Sequence, residues 1–196
     1  MATRHVACRP VLLLSLVALA VLAVRPAAAQ GLTPPPPPYT TCTTAGSGTT
    51  CRGNTDTTFS FPAEFACGSG AGSFAVDEQG TTHREATLWY DRAGNLTKRT
   101  LRIAPLEGTF TNAATGRSVP ESAHFVITHE LLTPGDLDTD RETIAGLFAK
   151  VVLPGGGSIL LDVGKIVYDP DGDIAFAAGP HQFTDGQVAK LCAALS

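Results

Sequence analysis

Short hydrophobic runs alternate with turn sequences along most of the chain, and the clearest example is the stretch from residue 158 to 178. Its two runs, SILLDVGKIVY and IAFAA, are rich in β-branched and aliphatic residues and flank the segment DPDGD. Pro170 presets φ for a turn and Gly172 tolerates a positive φ, so this segment favours a tight reversal. The pattern predicts a β-hairpin.

The same design recurs upstream. The runs 81–90 and 96–103 flank DRAGN, and the runs 106–112 and 118–131 flank a turn centred on AATG. Residues 143–153 fit a strand or an amphipathic helix, and the PGGG that follows them favours the strand. With the run that starts at Thr57, about eight strands joined by local turns predict an all-β antiparallel meander.

Such a meander must protect its edge strands. It can close into an up-and-down barrel or fold into two packed sheets, as in a β-sandwich. We expect the barrel, whose interior at this strand number is either filled by side chains or holds one small ligand. The sandwich is the alternative.

One helix is predicted, over residues 184–195. Thr184 and Gln187 fit a capping box, and Phe183 and Val188 fit a hydrophobic staple. The apolar positions then follow helical spacing at Val188, Leu191, Cys192 and Leu195. We therefore expect Cys192 to point into the body of the protein.

The first residues have the features of a secretory signal peptide. Arginines precede an apolar run from Val11 to Val24, and Ala27-Ala28-Ala29 precedes Gln30. The run is shorter than the ~20 residues that a spanning helix needs, so a membrane anchor is the weaker interpretation. Residues 1–29 are predicted to be removed, which predicts a secreted, extracellular protein.

Composition divides the rest of the chain. Residues 30–56 contain five consecutive prolines and a Thr/Gly/Ser run, which predict a tether, and residues 57–196 are predicted to form one domain. Loss of residues 1–29 removes three arginines and no acidic residue, so the formal charge changes from −4 to −7. This balance argues against a nucleic-acid partner or an anionic membrane surface.

Four cysteines remain after processing, in a setting where disulfides persist, and four cysteines allow three pairings. We predict the pairs Cys42–Cys51 and Cys67–Cys192. The first closes a small loop, and the second ties the terminal helix to the first strand of the domain. No two of these cysteines have the close spacing of a redox or thiolate metal pair.

Three segments resemble a group of exported bacterial proteins of unknown function. They are GTFTNAATGRSV, SILLDVGKIVYDPDGDIAF and HQFTDGQVAKLCAAL, which carry a TN-x-x-TG hairpin tip and a terminal helix with a cysteine. The similarity spans most of residues 67–196. The resemblance implies a secreted β domain and implies no activity.

Metal and cofactor chemistry have little support. Residues 136–140 and 169–173 each read D-x-D-x-D, but neither fits an EF-hand, and aspartates in turns commonly bond the local backbone. No two histidines have the i, i+2 spacing that would place them on one strand face. We predict no cofactor and no metal site.

Five residues are candidates for ligand binding. His129 lies in an otherwise apolar row, where it would be a polar anchor inside a barrel, and Asp162 is the acid proposed beside it. His83, Glu85 and Trp89 share one face of another strand. An exposed salt bridge from Glu85 to Arg99 or Arg102 would explain that glutamate without a function.

Two functions remain open. The first is a non-enzymatic exported domain that holds a small apolar ligand or presents its loops to a protein partner. The second is a small barrel-type enzyme, an isomerase, cyclase or hydrolase, that uses His129 with an acid such as Asp162. We favour the first, because no local catalytic motif is present in the sequence. The two differ in whether His129 and Asp162 meet across a cavity.

Overall fold

The computed structural model describes residues 31–153, 155–183 and 185–196. The predicted signal peptide, residues 1–29, and Thr184 of the predicted capping box lie outside the described residues.

The described chain forms one antiparallel sheet whose eight strands are paired in chain order. The strands are β1 (Thr40–Ala45), β2 (Gly48–Cys67), β3 (Phe74–Tyr90), β4 (Leu96–Asn112), β5 (Ser118–Leu131), β6 (Asp140–Leu153), β7 (Gly157–Tyr168) and β8 (Ile174–Ala178). Two 3₁₀ turns, Gly70–Gly72 and Leu137–Thr139, precede β3 and β6, and the helix α1 (Ala189–Leu195) ends the chain. The predicted antiparallel meander with one C-terminal helix is confirmed, including the strand over residues 143–153.

The predicted barrel is wrong, because the sheet is open. In the described residues β1 pairs with β2 and β8 pairs with β7, and the two edge strands do not meet. Closure requires edge strands that pair along their length, but β1 and β8 have six and five residues against 12 to 20 for the strands between them. An open meander is compatible with the alternative of two packed sheets.

Within the segment predicted as a tether, residues 30–56, the structure has strands from Thr40 onward. Thr40–Ala45 and the start of β2 form a hairpin in which Cys42 lies opposite Cys51. Threonine favours extended backbone because its β-branched side chain fits a pleated surface, so the Thr run forms strands rather than a spacer. Before β1, the Thr33 amide donates to the Gly94 carbonyl at 2.8 Å, which holds this segment on the β3–β4 turn.

Both predicted disulfides are present. The Cys42 and Cys51 sulfurs are 1.97 Å apart, and those of Cys67 and Cys192 are 2.00 Å apart. The second bond spans 125 residues and holds α1 against the end of β2. Two disulfides fit an extracellular protein.

Helix α1 begins later than predicted. Gly186 has φ +70°, a left-handed conformation that an α-helix cannot contain, so Asp185 and Gly186 form a turn instead. The Asp185 amide donates to the His181 carbonyl at 2.7 Å. Leu191 and Leu195 are fully buried, as the helical spacing predicts. None of the helices among the described residues has the length and apolar character needed to cross a bilayer.

One face of the sheet, here called the inner face, carries two packed clusters. The first lies under α1 and contains Cys67, Val76, Phe110, Val119, Ala149, Val151, Leu160, Leu191 and Leu195. The second lies near the N-terminal segment and contains Cys51, Ala86, Leu88, Tyr90, Leu96 and Leu131, with Leu32 packed against it. The Tyr90 hydroxyl donates to the Pro34 carbonyl at 3.0 Å, which holds the N-terminal segment against this second cluster. The middle of the inner face lies between the two clusters.

Candidate functional site

The five predicted ligand residues separate onto the two faces of the sheet. His83, Glu85 and Trp89 lie on the outer face of β3, whereas His129 and Asp162 lie on the inner face and are buried. On the outer face, His83 Nδ1 is 2.6 Å from Asp56 Oδ1 and Arg102 Nη1 donates to Glu85 Oε1 at 3.2 Å. The Lys98 ammonium lies 5.9 Å from the centre of the Trp89 ring. Exposed pairs of this kind are common surface contacts.

His129 belongs to a charged cluster that spans three strands. It lies opposite Arg99 of β4 and Glu142 of β6 in the strand register. His129 Nδ1 contacts the Asp140 carboxylate, lies 3.5 Å from Glu142 Oε2 and is 3.4 Å from Arg99 Nη2. The cluster therefore holds the Arg99 guanidinium and two carboxylates around one imidazole.

The same residues are the one group in the described chain whose donor atoms fit a metal. The imidazole of His129 and the carboxylates of Asp140 and Glu142 offer ligand atoms within 4.8 Å of one another. Imidazole with two carboxylates suits a divalent cation such as Zn²⁺. However, the Arg99 guanidinium at 3.4 Å from His129 Nδ1 brings a positive charge to the place where the cation would sit. The geometry is that of an ion-pair network.

Asp162 pairs with a different histidine. His181, which follows β8, points its Nδ1 at Asp162 Oδ1 at 3.0 Å, and both residues are buried. The Phe148 ring stacks on the His181 ring with 5.7 Å between centres. The Val163 amide also donates to the Pro180 carbonyl at 2.9 Å. These contacts attach the segment after β8 to the edge of β7, which is a structural role.

The structure does not bring His129 and Asp162 together. Their neighbours on β6 are Glu142 and Ala149, seven residues apart, so the two lie at different levels of the sheet. Alternation correctly places both on the inner face. Each has a different partner, Asp140 for the histidine and His181 for the aspartate.

Tyr168 lies on the inner face, at the level of the His129 cluster. It is opposite Glu142 on β6 and on the same strand as Asp162. Burial, with smaller contributions from the carboxylates of Glu142 and Asp162, raises the pKa of the Tyr168 hydroxyl above its ordinary value. The phenol therefore stays protonated at neutral pH.

The middle of the inner face contains an open groove of about 220 Å³. Nine residues of β2, β3, β4 and β5 line it: Phe59, Phe61, Thr82, Arg84, Leu101, Ile103, Leu106, Phe125 and Ile127. Seven of these are apolar, and Phe61 retains 46 % of its surface exposed. The rings of Phe59 and Phe61 stack with 5.4 Å between centres. Sequence reasoning missed this groove, because it depends on which inner-face residues α1 leaves uncovered.

Two glutamates that interact with each other, Glu121 and Glu78, lie beside the groove. Glu121 is buried on β5, and a methyl group built on Gly108 would lie 3.2 Å from its Oε2 and 3.6 Å from the tip of the Phe59 ring. Burial, then the charge of Glu78 and a hydrogen bond with Glu78, raises the pKa of Glu121 to about 8. Glu121 is therefore mostly a neutral carboxylic acid at pH 7. In the sequence, the signal that could have revealed this buried acid was the position of Glu121 among the inward-facing residues of the alternating run 118–131.

Comparisons with protein-family models, with curated proteins and with solved structures found no match for this chain.

Proposed function

We propose that this chain is a secreted, non-enzymatic binding domain that holds a small apolar molecule in the groove on its inner face. The observation that carries the proposal is an apolar surface left open between two well-packed clusters. Phe61 is 46 % exposed, and Leu101 and Ile127 are half-buried, although they lie on the same face as fully buried residues. Exposed apolar patches of this kind mark binding surfaces.

The size of the groove limits the ligand. Its volume of about 220 Å³ equals about seven water volumes, so it accommodates roughly seven to ten non-hydrogen atoms. This is below the ~300 Å³ at which pockets for drug-sized ligands begin. The proposal is thus a short alkyl chain or a single ring, bound with modest affinity.

The enzymatic alternative, which used His129 with Asp162, gains no support from this geometry. Each residue is held by another partner, Asp140 for the histidine and His181 for the aspartate. A general acid and base must approach within hydrogen-bond distance of a shared substrate, and strand register places these two at different levels of the sheet.

The test is a nuclear magnetic resonance titration with 1-octanol, an uncharged probe of suitable size. We expect saturable shifts at Leu101, Ile103 and Ile127 and none at the Trp89 indole on the outer face. Leu101→Trp should fill the groove and abolish binding. Thr100→Trp, which places the same ring on the outer face of the same strand, should leave binding unchanged.

Three results would contradict the proposal. They are shifts distributed equally over both faces, an absence of saturation, and equal effects of the two tryptophan variants. Chemical shifts in the remainder of the sheet report whether each variant is folded, so a failure to fold is recognised directly.

A further inference from the structure

One charged side chain lies inside the apolar groove. Arg84 of β3 is on the inner face, and it lines the groove together with Phe59 and Phe61 of β2. It is exposed, and no carboxylate is among the residues that line the groove. Within the described ranges, the Arg84 guanidinium has no ion-pair or hydrogen-bond partner in the protein.

The other arginines near the groove differ from Arg84. Arg102 of β4 lies on the outer face and donates to Glu85 at 3.2 Å. Arg99 lies at one end of the inner face, where Nη2 is 3.4 Å from His129 in the cluster that also contains Asp140. Both therefore have partners within the protein, whereas Arg84 has its guanidinium available to a ligand.

The acids closest to the groove do not supply that partner. Glu121 is buried beside Gly108, next to the Phe59 ring, and it interacts with Glu78. Because burial and Glu78 raise the pKa of Glu121 to about 8, this side chain contributes little negative charge at pH 7. Among the residues that line the groove, Arg84 is the one charged side chain.

We propose that the ligand of this groove is an amphipathic monocarboxylate, whose apolar part lies against the phenylalanine rings and whose carboxylate pairs with Arg84. The inference rests on the proposed function and names the ligand class. Arginine suits a carboxylate because its planar guanidinium donates two parallel hydrogen bonds to the two carboxylate oxygens. The apolar wall beside it favours a molecule with a single charged end.

The test compares three probes with the same eight-carbon chain: octanoate, 1-octanol and octylamine. Calorimetric or magnetic-resonance titrations at pH 7 measure their affinities for the disulfide-bonded protein. We expect octanoate to bind about tenfold more tightly than octanol, in the range of a charge-assisted hydrogen bond at a partly exposed site. Octylamine should bind more weakly than octanol, because its ammonium meets a guanidinium.

Variants identify the residue responsible. Arg84→Gln should remove the preference for octanoate and leave the octanol affinity within about twofold, and Arg84→Lys should retain part of the preference because it keeps the charge. Arg102→Gln is the matched control on the outer face, and it should leave both affinities unchanged.

The outcomes separate this inference from the proposed function. Equal affinities of octanoate and octanol, or a preference that survives Arg84→Gln, would overturn the pairing of a ligand carboxylate with Arg84 and leave the apolar groove in place. Failure of all three probes to bind the folded protein would overturn the proposed function and this inference with it. A preference lost equally in Arg102→Gln would show that net charge, and not Arg84, selects the ligand.

Discussion

Apolar side chains on the inner face of the sheet are buried at the end covered by α1 and partly exposed in the middle. Under α1, Val76, Phe110 and Leu160 are fully buried, whereas in the middle Phe61 is 46 % exposed and Leu101 and Ile127 are half-buried. Both regions come from the same long strands and have the same alternation of apolar and polar residues. The difference lies in what covers them, so strand pattern marks the apolar face and only the covering elements decide which part becomes core.

The largest expected effect on stability comes from removing the Cys67–Cys192 disulfide, which holds α1 against the covered end of the sheet. Replacement of Cys67 and Cys192 by alanine opens a loop of 125 residues and should lower the free energy of unfolding by about 5 kcal/mol through chain entropy. Denaturant unfolding of the purified protein measures the loss. This is a large share of the stability of a domain of this size.

The other disulfide is the matched control. Cys42–Cys51 spans nine residues, and its removal should lower the free energy of unfolding by about 2.5 kcal/mol. Each bond joins one fully buried and one half-buried cysteine, so lost packing is comparable. Equal losses from the two double variants would contradict the view that the long cross-link holds the covered end together.

Two leucines compare the regions directly. Leu191→Ala in the covered cluster should lower the free energy of unfolding by about 3 kcal/mol, because it removes a fully buried side chain and leaves a cavity. Leu101→Ala in the open groove should lower it by about 1 kcal/mol, since that side chain is already half in water. Denaturant midpoints at constant slope measure both. Similar losses would mean that the groove is closed in solution.

Local patterns accounted for much of this fold. The hairpin around Gly172 follows from turn chemistry. The pairing of Cys67 with Cys192 agrees with the helical spacing that places Cys192 on the same side of the helix as Leu191. The D-x-D-x-D turns also behave as expected, since Asp136 Oδ1 accepts from the Asp138 amide at 3.1 Å and Asp169 Oδ1 accepts from the Asp171 amide at 3.1 Å. These features depend on residues close in sequence or on simple periodicity.

Features that depend on contacts between residues far apart in the sequence were harder to predict. Barrel closure depends on whether β1 and β8 can pair, which no local pattern reports. In the site, alternation places His129 on the correct face, but its partner Asp140 lies at the end of a turn sequence that otherwise bonds only the backbone. The partner of Asp162 is His181, in an irregular segment without periodicity. Register shifts in β6 and β7 then fix distances that sequence alone leaves open.

The smallest expected effect concerns Glu121, at the border between the covered end and the groove. Its pKa is raised from 4.5 to about 8, so between these values the folded protein binds more protons than the unfolded chain. Stability from this group is complete below pH 4.5 and decreases as the pH rises towards 8, by at most about 1.4 kcal/mol per pH unit. We expect unfolding measured at pH 6 and pH 7 to show a loss of about 1 kcal/mol. Glu121→Gln should abolish this loss of stability, whereas Glu107→Gln, a change at an exposed residue on the outer face, should leave it unchanged. A loss that persists in Glu121→Gln would assign the titration to another group.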